Sequence, residues 1–567
     1  MYEDTVDPAM SVGQNKLEPI ETPMATLDVV DEPGPRTRLR LAAILTALYL
    51  ALFIAALDQT IMATSIPTIS AQLHSASGYS WIGGAYLLGN AAAGPIWAKC
   101  SDIWGRKPAL LLAVALFAGA SVIAALSVSM RMLIAARALQ GTAGGGLMQL
   151  VIITISDLFS MRQRTLYLGY TEVMWAVAGG AGPLIGGAFT QLVSWRWCYW
   201  VNLPVSGTTF VLLALFLDVH NPRTKLKEGL LAIDWLGTMS VLAVTLMLLL
   251  GLDFGGTVFP WTSAKVICLI VFGVVMIGFF VLSEKKFAKY PLMPLSMFRD
   301  RSNVAAFVVG FTQGMAYIAA EYYLPLYFQS VKQASPIRSG VLILPITVGE
   351  ATAGITVGIL MHQTGRYREI IWTGLFLMTL GTGLYITFDT DTSIGRLVGF
   401  ELIGGVGCGL LFEAPIIAIQ NTVSQKDTAT ATATYGSLRN VATSMSIVIG
   451  GVVFQNGMKA RAATLRSTGL DESTVAAFSG GQAAASVEII GTIQDDAQRR
   501  AVLDAFAGSL RNIWIMYTCI AAVGLVAAGF IKQTNLSKEH TETKTGIPQM
   551  EDQGQKTTTA VTPESPV

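Results

Sequence analysis

The sequence predicts an all-α integral membrane protein with fourteen membrane-spanning helices, and three observations support this fold class. Hydrophobic residues make up 52% and charged residues 13% of the 567 residues, whereas soluble domains contain about 45–50% and about 25%. The mean hydropathy is +0.54. Fourteen segments also reach or approach the roughly 20 apolar residues that a helix needs to cross a bilayer. Helices are predicted because open strands cannot satisfy their backbone groups in lipid.

The predicted spans are separated by charged or Pro/Gly-rich turns. In chain order they cover residues 41–63, 79–99, 108–129, 132–155, 165–190, 198–218, 231–251, 263–283, 303–328, 339–361, 369–388, 394–421, 430–455 and 511–531.

Composition and motif content argue against several other classes of protein. A net charge of +1 gives no reason to expect nucleic acid as a partner. The five cysteines lie singly in apolar runs, so neither a disulfide framework nor a metal site is expected. The chain lacks a Gly-Lys dipeptide and hence the phosphate-binding loop of an ATP-driven pump. Its four scattered histidines suggest no catalytic grouping. We therefore expect no enzyme activity and no cofactor.

The distribution of basic residues predicts the orientation. With the N-terminus in the cytoplasm, the short inner segments contain about 22 Lys and Arg residues and the short outer loops about 6, which is a strong positive-inside bias. Both termini are then cytoplasmic. Residues 1–40 and 532–567 are polar and predicted to be disordered tails, and the long 456–510 loop is predicted to be extracellular.

A weak internal repeat predicts how the spans are grouped. The basic loop at 99–107 is matched by a shorter one at 365–368, and each follows the second helix of a presumed six-helix set. This places one bundle at 41–218 and another at 303–531, with two inserted linker helices at 231–283. Two repeated bundles around a central cavity are typical of transporters.

Several motifs resemble those of a known family. They are Leu57–Ile61 with Pro67, Ser101–Lys107, Arg137–Gly141 followed by Gly144–Gly146, Gly179–Gly187, Trp195–Pro204, Tyr323–Gln329 and Ala429–Asn440. Together they resemble the fourteen-helix drug:proton antiporter branch of the major facilitator superfamily, and in particular fungal multidrug or toxin efflux transporters. The resemblance covers roughly residues 40–531. It implies a major facilitator fold, a small-molecule substrate exchanged for protons, and a monomer in the lipid bilayer. One departure is Ala98, where the family usually has glycine.

Asp58 and Arg137 are the first candidates for proton coupling or substrate contact. At about 1.5 Å per residue, Asp58 lies about 26 Å above the cytoplasmic end of its span, at the same depth as Arg137. Either charge alone in lipid costs at least roughly 2.5–3.5 kcal/mol, so both are expected to face the interior, where they could pair. The alternative is a fixed ion pair that only locks two helices.

Further membrane-embedded charges are candidates for the same roles. They include Glu172, Glu350 and Glu413, with Arg439 as a possible partner of Glu413. Glu350 lies near mid-depth, where transporters bind their substrates. The Glu413–Arg439 pair could equally be structural.

Two motifs are expected to act in gating. Asp102, Gly105, Arg106 and Lys107 form the loop after the second span, where an ion pair could latch the bundles in one state. The alternative is that these charges only anchor the topology.

In the fifth span, Gly182 and Gly186 have the spacing that lets a neighbouring helix approach closely. Pro183 removes a backbone donor and favours a bend. Passive tight packing would produce the same pattern.

The sequence therefore predicts a proton-coupled secondary transporter that works by alternating access and exports hydrophobic drugs or a secondary metabolite across the plasma membrane. The alternative is a vacuolar proton-coupled carrier of basic amino acids, to which Glu172 and Glu350 would be suited.

Overall fold

Long helices account for most of the residues that the structure describes. The computed structural model describes residues 37–73, 78–255, 259–288, 290–479, 483–539 and 545–547. Within these residues a helix lies at each of the fourteen predicted spans: α1 Arg38–Ile61, α2 Gly78–Trp104, α3 Arg106–Ala125, α4 Met130–Leu158, α5 Met161–Leu192, α6 Trp197–Phe216, α7 Trp235–Phe254, α8 Ala264–Lys286, α9 Arg301–Ser330, α10 Pro336–Thr364, α11 Arg368–Tyr385, α12 Ile394–Gln420, α13 Thr428–Ser467 and α14 Asp496–Ala528.

Twelve of these helices are long and apolar enough to cross a membrane. The other two are α2, which contains Asn90, Lys99 and Asp102, and α11, which is only 18 residues long and includes Arg368 and Glu369. The all-α membrane fold is confirmed, and the number of fourteen spans stays a prediction.

The helices pack in two sets. Helices α1–α6 contact one another, as do α9–α14, while α7 and α8 pair with each other and α7 also contacts α2 and α13. We call these sets the N-bundle, the C-bundle and the linker pair. The side that contains the first residue of α1 is called the basal face, and the opposite side the distal face.

Two segments differ from the sequence expectation. The predicted 456–510 loop is partly helical, since α13 continues to Ser467 and α14 begins at Asp496. Hydropathy falls beyond the predicted spans, but both helices continue there because Leu465, Phe478 and Phe506 pack together in one apolar cluster.

The start of the second tail is also ordered. Residues 532–539 lie against the basal face, and Leu536 is only 4% exposed. Residues 1–36, 540–544 and 548–567 of the predicted tails lie outside the described residues.

Candidate functional site

Asp58 and Arg137 form a buried ion pair inside the N-bundle. Arg137 Nη1 donates to Asp58 Oδ2, and both residues are at most 1% exposed. The guanidinium also donates from Nε to the Ile82 carbonyl at 3.0 Å and lies 4.5 Å from the centre of the Tyr86 ring. The structure thus joins α1 to α4, as their equal depth suggested.

A network of neutral polar groups surrounds the pair. Gln140 Nε2 and Asn202 Nδ2 donate to Asp58 Oδ1 at 3.2 and 2.9 Å. The Ser121 hydroxyl oxygen accepts from both amides, at 2.8 and 3.3 Å. Asp58 is therefore held by donors from α4 and α6, and Ser121 adds α3. No role was predicted for Gln140 or Asn202 from the sequence, although they lie in the motifs Arg137–Gly141 and Trp195–Pro204.

The other charged candidates meet between the bundles, in a region that we call the cleft. Glu172 of α5, Glu350 of α10 and Glu413 of α12 all lie within electrostatic range of Arg439 on α13. Glu172 packs directly against the C-bundle, since a Cβ added to Gly354 would lie 2.6 Å from its Cγ.

Arg439 and Glu413 do not form an ion pair within 4.0 Å. The guanidinium instead lies 4.6 Å from the centre of the Phe412 ring and 5.9 Å from that of Tyr317. Glu413 Oε2 and Glu350 Oε1 are buried without a hydrogen-bond partner. Helix α12 is broken between Gly409 and Ala414, which places Phe412 and Glu413 in its non-helical turn. The cleft thus contains more carboxyl groups than it can pair.

Arg106 is the centre of a second charged cluster at the basal face. It contacts Asp102 at 2.5 Å and Asp157 at 2.7 Å, and donates to the Ser101 hydroxyl at 2.6 Å. Gly105 has φ +94°, a backbone conformation that favours glycine. Asp157 was not predicted from the sequence, and it lies near the end of α4, just beyond the predicted span 132–155. Lys107 is half-buried.

This cluster lies within one bundle, because Asp102, Arg106 and Asp157 belong to α2, α3 and α4. The ion pair expected to latch the two bundles therefore joins helices of the N-bundle only. The reason is local: Asp102 and Arg106 are four residues apart across a tight turn.

The hydrogen bonds that join the two bundles lie beside the Arg106 cluster, also at the basal face. Arg164 Nη1 and Nη2 donate to Gln420 Oε1 and Gln425 Oε1 at 3.2 and 3.3 Å. Arg162 Nε donates to the His362 carbonyl at 2.5 Å. Among the described residues, no hydrogen bond joins the two bundles at the distal face. Within the described residues, the hydrogen bonds between the bundles therefore lie at the basal face.

The glycines of α5 allow close contact with α1. A Cβ on Gly182 would lie 2.1 Å from the Thr60 hydroxyl, and one on Gly186 would lie 2.2 Å from the Ile61 carbonyl oxygen. The Thr60 hydroxyl donates to the Ala178 carbonyl at 2.8 Å. Pro183 lies inside this helix. Thr60 and Ile61 follow Asp58 by two and three residues, so α5 supports the segment that holds the buried carboxylate.

Two helical bundles with charged groups buried between them are typical of a multi-pass membrane transporter. Residues 48–447 match the sequence model of the Major Facilitator Superfamily, and the chain belongs to this family. It is 46% identical to "Efflux pump dotC" of Dothistroma septosporum over 89% of this chain and 87% of that protein.

A second relative and a solved structure agree with this assignment. The chain is 43% identical to "MFS-type transporter ppz2" of Metarhizium majus, over 95% and 92% of the two chains. The proton:xylose symporter XylE, at 13% identity and a TM-score of 0.55 over 88% of this chain and 97% of that one, has the same fold.

Proposed function

We propose that this transporter exports a hydrophobic small molecule, a drug or a secondary metabolite, across the plasma membrane in exchange for protons. The basal face is then cytoplasmic, as the positive-inside bias predicts. Relatives named as efflux pumps support the direction of transport. The observation on which the proposal rests is the surplus of carboxyl groups in the cleft, where Glu172, Glu350 and Glu413 face one guanidinium.

A surplus of carboxyl groups suits proton exchange. Carboxylates that share a site of low dielectric constant with too few cations cannot all remain charged, so their proton content depends on hydration and on neighbouring charges. Opening the cleft to one side and then the other changes both. Asp58, beside Arg137, is the second group that could bind and release a proton as its network rearranges.

Alternating access requires contacts that break on one side. The hydrogen bonds of Arg162 and Arg164 to the C-bundle are those that would separate when the basal face opens. The contact of α5 with α1 at Gly182 and Gly186 would let the N-bundle move as a unit, since it ties two of its helices together.

The test is proton-driven uptake into inside-out vesicles that contain the full chain, with a fluorescent hydrophobic drug as probe. Asp58→Asn and Glu350→Gln are expected to abolish uptake driven by a pH gradient. Asp391→Asn, which removes an exposed carboxylate, is the matched control and is expected to transport normally. The proposal would be refuted if Asp58→Asn and Glu350→Gln both retained undiminished proton-driven uptake.

The second candidate is a vacuolar carrier of basic amino acids. The excess of negative groups in the cleft favours it, because a lysine or arginine side chain could replace a proton there. Uptake of radiolabelled lysine into purified vacuoles, lost on deletion of the chain, would establish this function. Location of a tagged chain at the cell surface and unchanged vacuolar lysine would exclude it.

A further inference from the structure

A basic cavity lies at the basal face where the two bundles meet. Its volume is about 330 Å³. The residues that line it come from the start of α5, the end of α10 and the ordered tail, and are Ser160, Arg162, Gln163, His362, Gln363 and Lys538. None of them is acidic, and Arg162 and Lys538 have permanent positive charges.

Arg162 lines the cavity and joins the bundles. Its side chain donates to the carbonyl groups of His362 and Gln363, in the last turn of α10. These carbonyl groups have the partial negative charge of a helix C-terminus. His362 Nδ1 in turn donates to the Arg162 carbonyl at 3.0 Å. Among the described residues no carboxylate lies within 4.0 Å of Arg162, so its charge is not neutralised.

The tail places Lys538 beside this guanidinium. The Leu536 N–H donates to the Gly365 carbonyl at 3.1 Å, and the Ser537 carbonyl accepts from the Arg162 N–H at 3.0 Å. The Tyr367 hydroxyl donates to the Lys532 carbonyl at 2.8 Å. The backbone before Lys538 is therefore fixed against both bundles.

We propose that this cavity binds a phosphate group and that the bound phosphate holds the basal face closed. A guanidinium and an ammonium group that have no carboxylate partner among the described residues are suited to a phosphate, which accepts hydrogen bonds from both. Basic pockets between membrane helices at the cytoplasmic side bind anionic lipid head groups. A phosphate here would link Arg162 of the N-bundle to Lys538 of the tail, over the end of α10. Binding does not depend on the substrate or direction proposed above.

The test uses the purified full chain in detergent and follows its melting temperature with three probes. These are inorganic phosphate, short-chain phosphatidylinositol 4-phosphate and short-chain phosphatidylcholine. Lys538→Gln removes one charge from an exposed side chain and is expected to weaken binding about fivefold, about 1 kcal/mol. Lys227→Gln removes an exposed charge from the same face outside the cavity, and is the matched control.

The phosphoinositide is expected to raise the melting temperature of the wild type and of Lys227→Gln, whereas phosphatidylcholine is not. Weaker binding of the phosphoinositide is expected only for Lys538→Gln. Equal stabilisation by inorganic phosphate would support the same site with a soluble ligand. The proposal is overturned if neither phosphate probe stabilises the chain. It is also overturned if both lysine variants weaken binding equally, since the effect would then be general surface charge. Because no transport is measured, these outcomes are independent of the exported substrate.

Discussion

Removal of Arg137 should destabilise the protein strongly, because it leaves Asp58 buried without its cation. Asp58 is 0% exposed and would keep only the two amide donors from Gln140 and Asn202. Breaking a buried ion pair by removal of one partner costs about 3–5 kcal/mol. We expect Arg137→Gln to lower the free energy of unfolding by this amount, with part of the loss due to its contact with Tyr86.

The double variant Asp58→Asn with Arg137→Gln separates charge from packing. Two neutral amides leave no buried charge, so the double variant should be more stable than Arg137→Gln alone by about 1 kcal/mol or more. It should still fail to couple transport to a proton gradient, since the titratable group is gone. Recovery of stability without recovery of coupling is the expected result.

The assay is unfolding of the full chain in mixed detergent micelles, followed by tryptophan fluorescence. Arg500→Gln is the control, because Arg500 pairs with Asp391 at 2.9 Å on the surface, where an ion pair contributes about 0–1 kcal/mol. The prediction is refuted if Arg137→Gln lowers the free energy of unfolding no more than Arg500→Gln does. It is equally refuted if the effects of Asp58→Asn and Arg137→Gln simply add.

Three further predictions concern packing and charge. Gly182→Val should destabilise the protein by about 1–3 kcal/mol, because the valine side chain would overlap α1. Gly187→Ala should have little effect, because there is open space around Gly187. Equal melting temperatures of the two variants would contradict this prediction. Glu401→Leu should stabilise the protein by about 1 kcal/mol, because this fully buried carboxyl group has no hydrogen-bond partner on either oxygen. A lower melting temperature of the variant would contradict this, since it would show that the carboxyl group does have hydrogen-bond partners. Asp157→Asn should weaken the ion pair with Arg106 and so increase the rate of cysteine labelling at the basal face. An unchanged labelling rate would mean that Asp102 alone holds Arg106.

Most of the fold could be predicted because membrane helices are selected by local properties. A span must satisfy its own backbone hydrogen bonds and remain apolar over its length, and both conditions are visible in the sequence. The prediction was less accurate where these conditions do not apply. Helix α13 continues to Ser467 and α14 begins at Asp496, both beyond the predicted spans, and contacts such as Phe454 with Phe506 stabilise the two helices there.

The site was predicted only in part. Equal depth was enough to pair Asp58 with Arg137, because two costly charges in one bundle have few alternatives. The same argument failed for Glu413 and Arg439, since nearness in depth does not specify rotation about the helix axis. Arg439 lies over Phe412 instead.

The sequence by itself determined which charges must avoid lipid and which helices could pack closely, because these follow from composition and spacing along one chain. Only the tertiary structure decided which groups meet: that Asp157 shares Arg106, that Asn202 holds Asp58, and that Arg162 caps α10 across the cleft. The physical reason is that such contacts join residues far apart in the chain. They depend on the relative rotation and shift of whole helices, which no local pattern specifies.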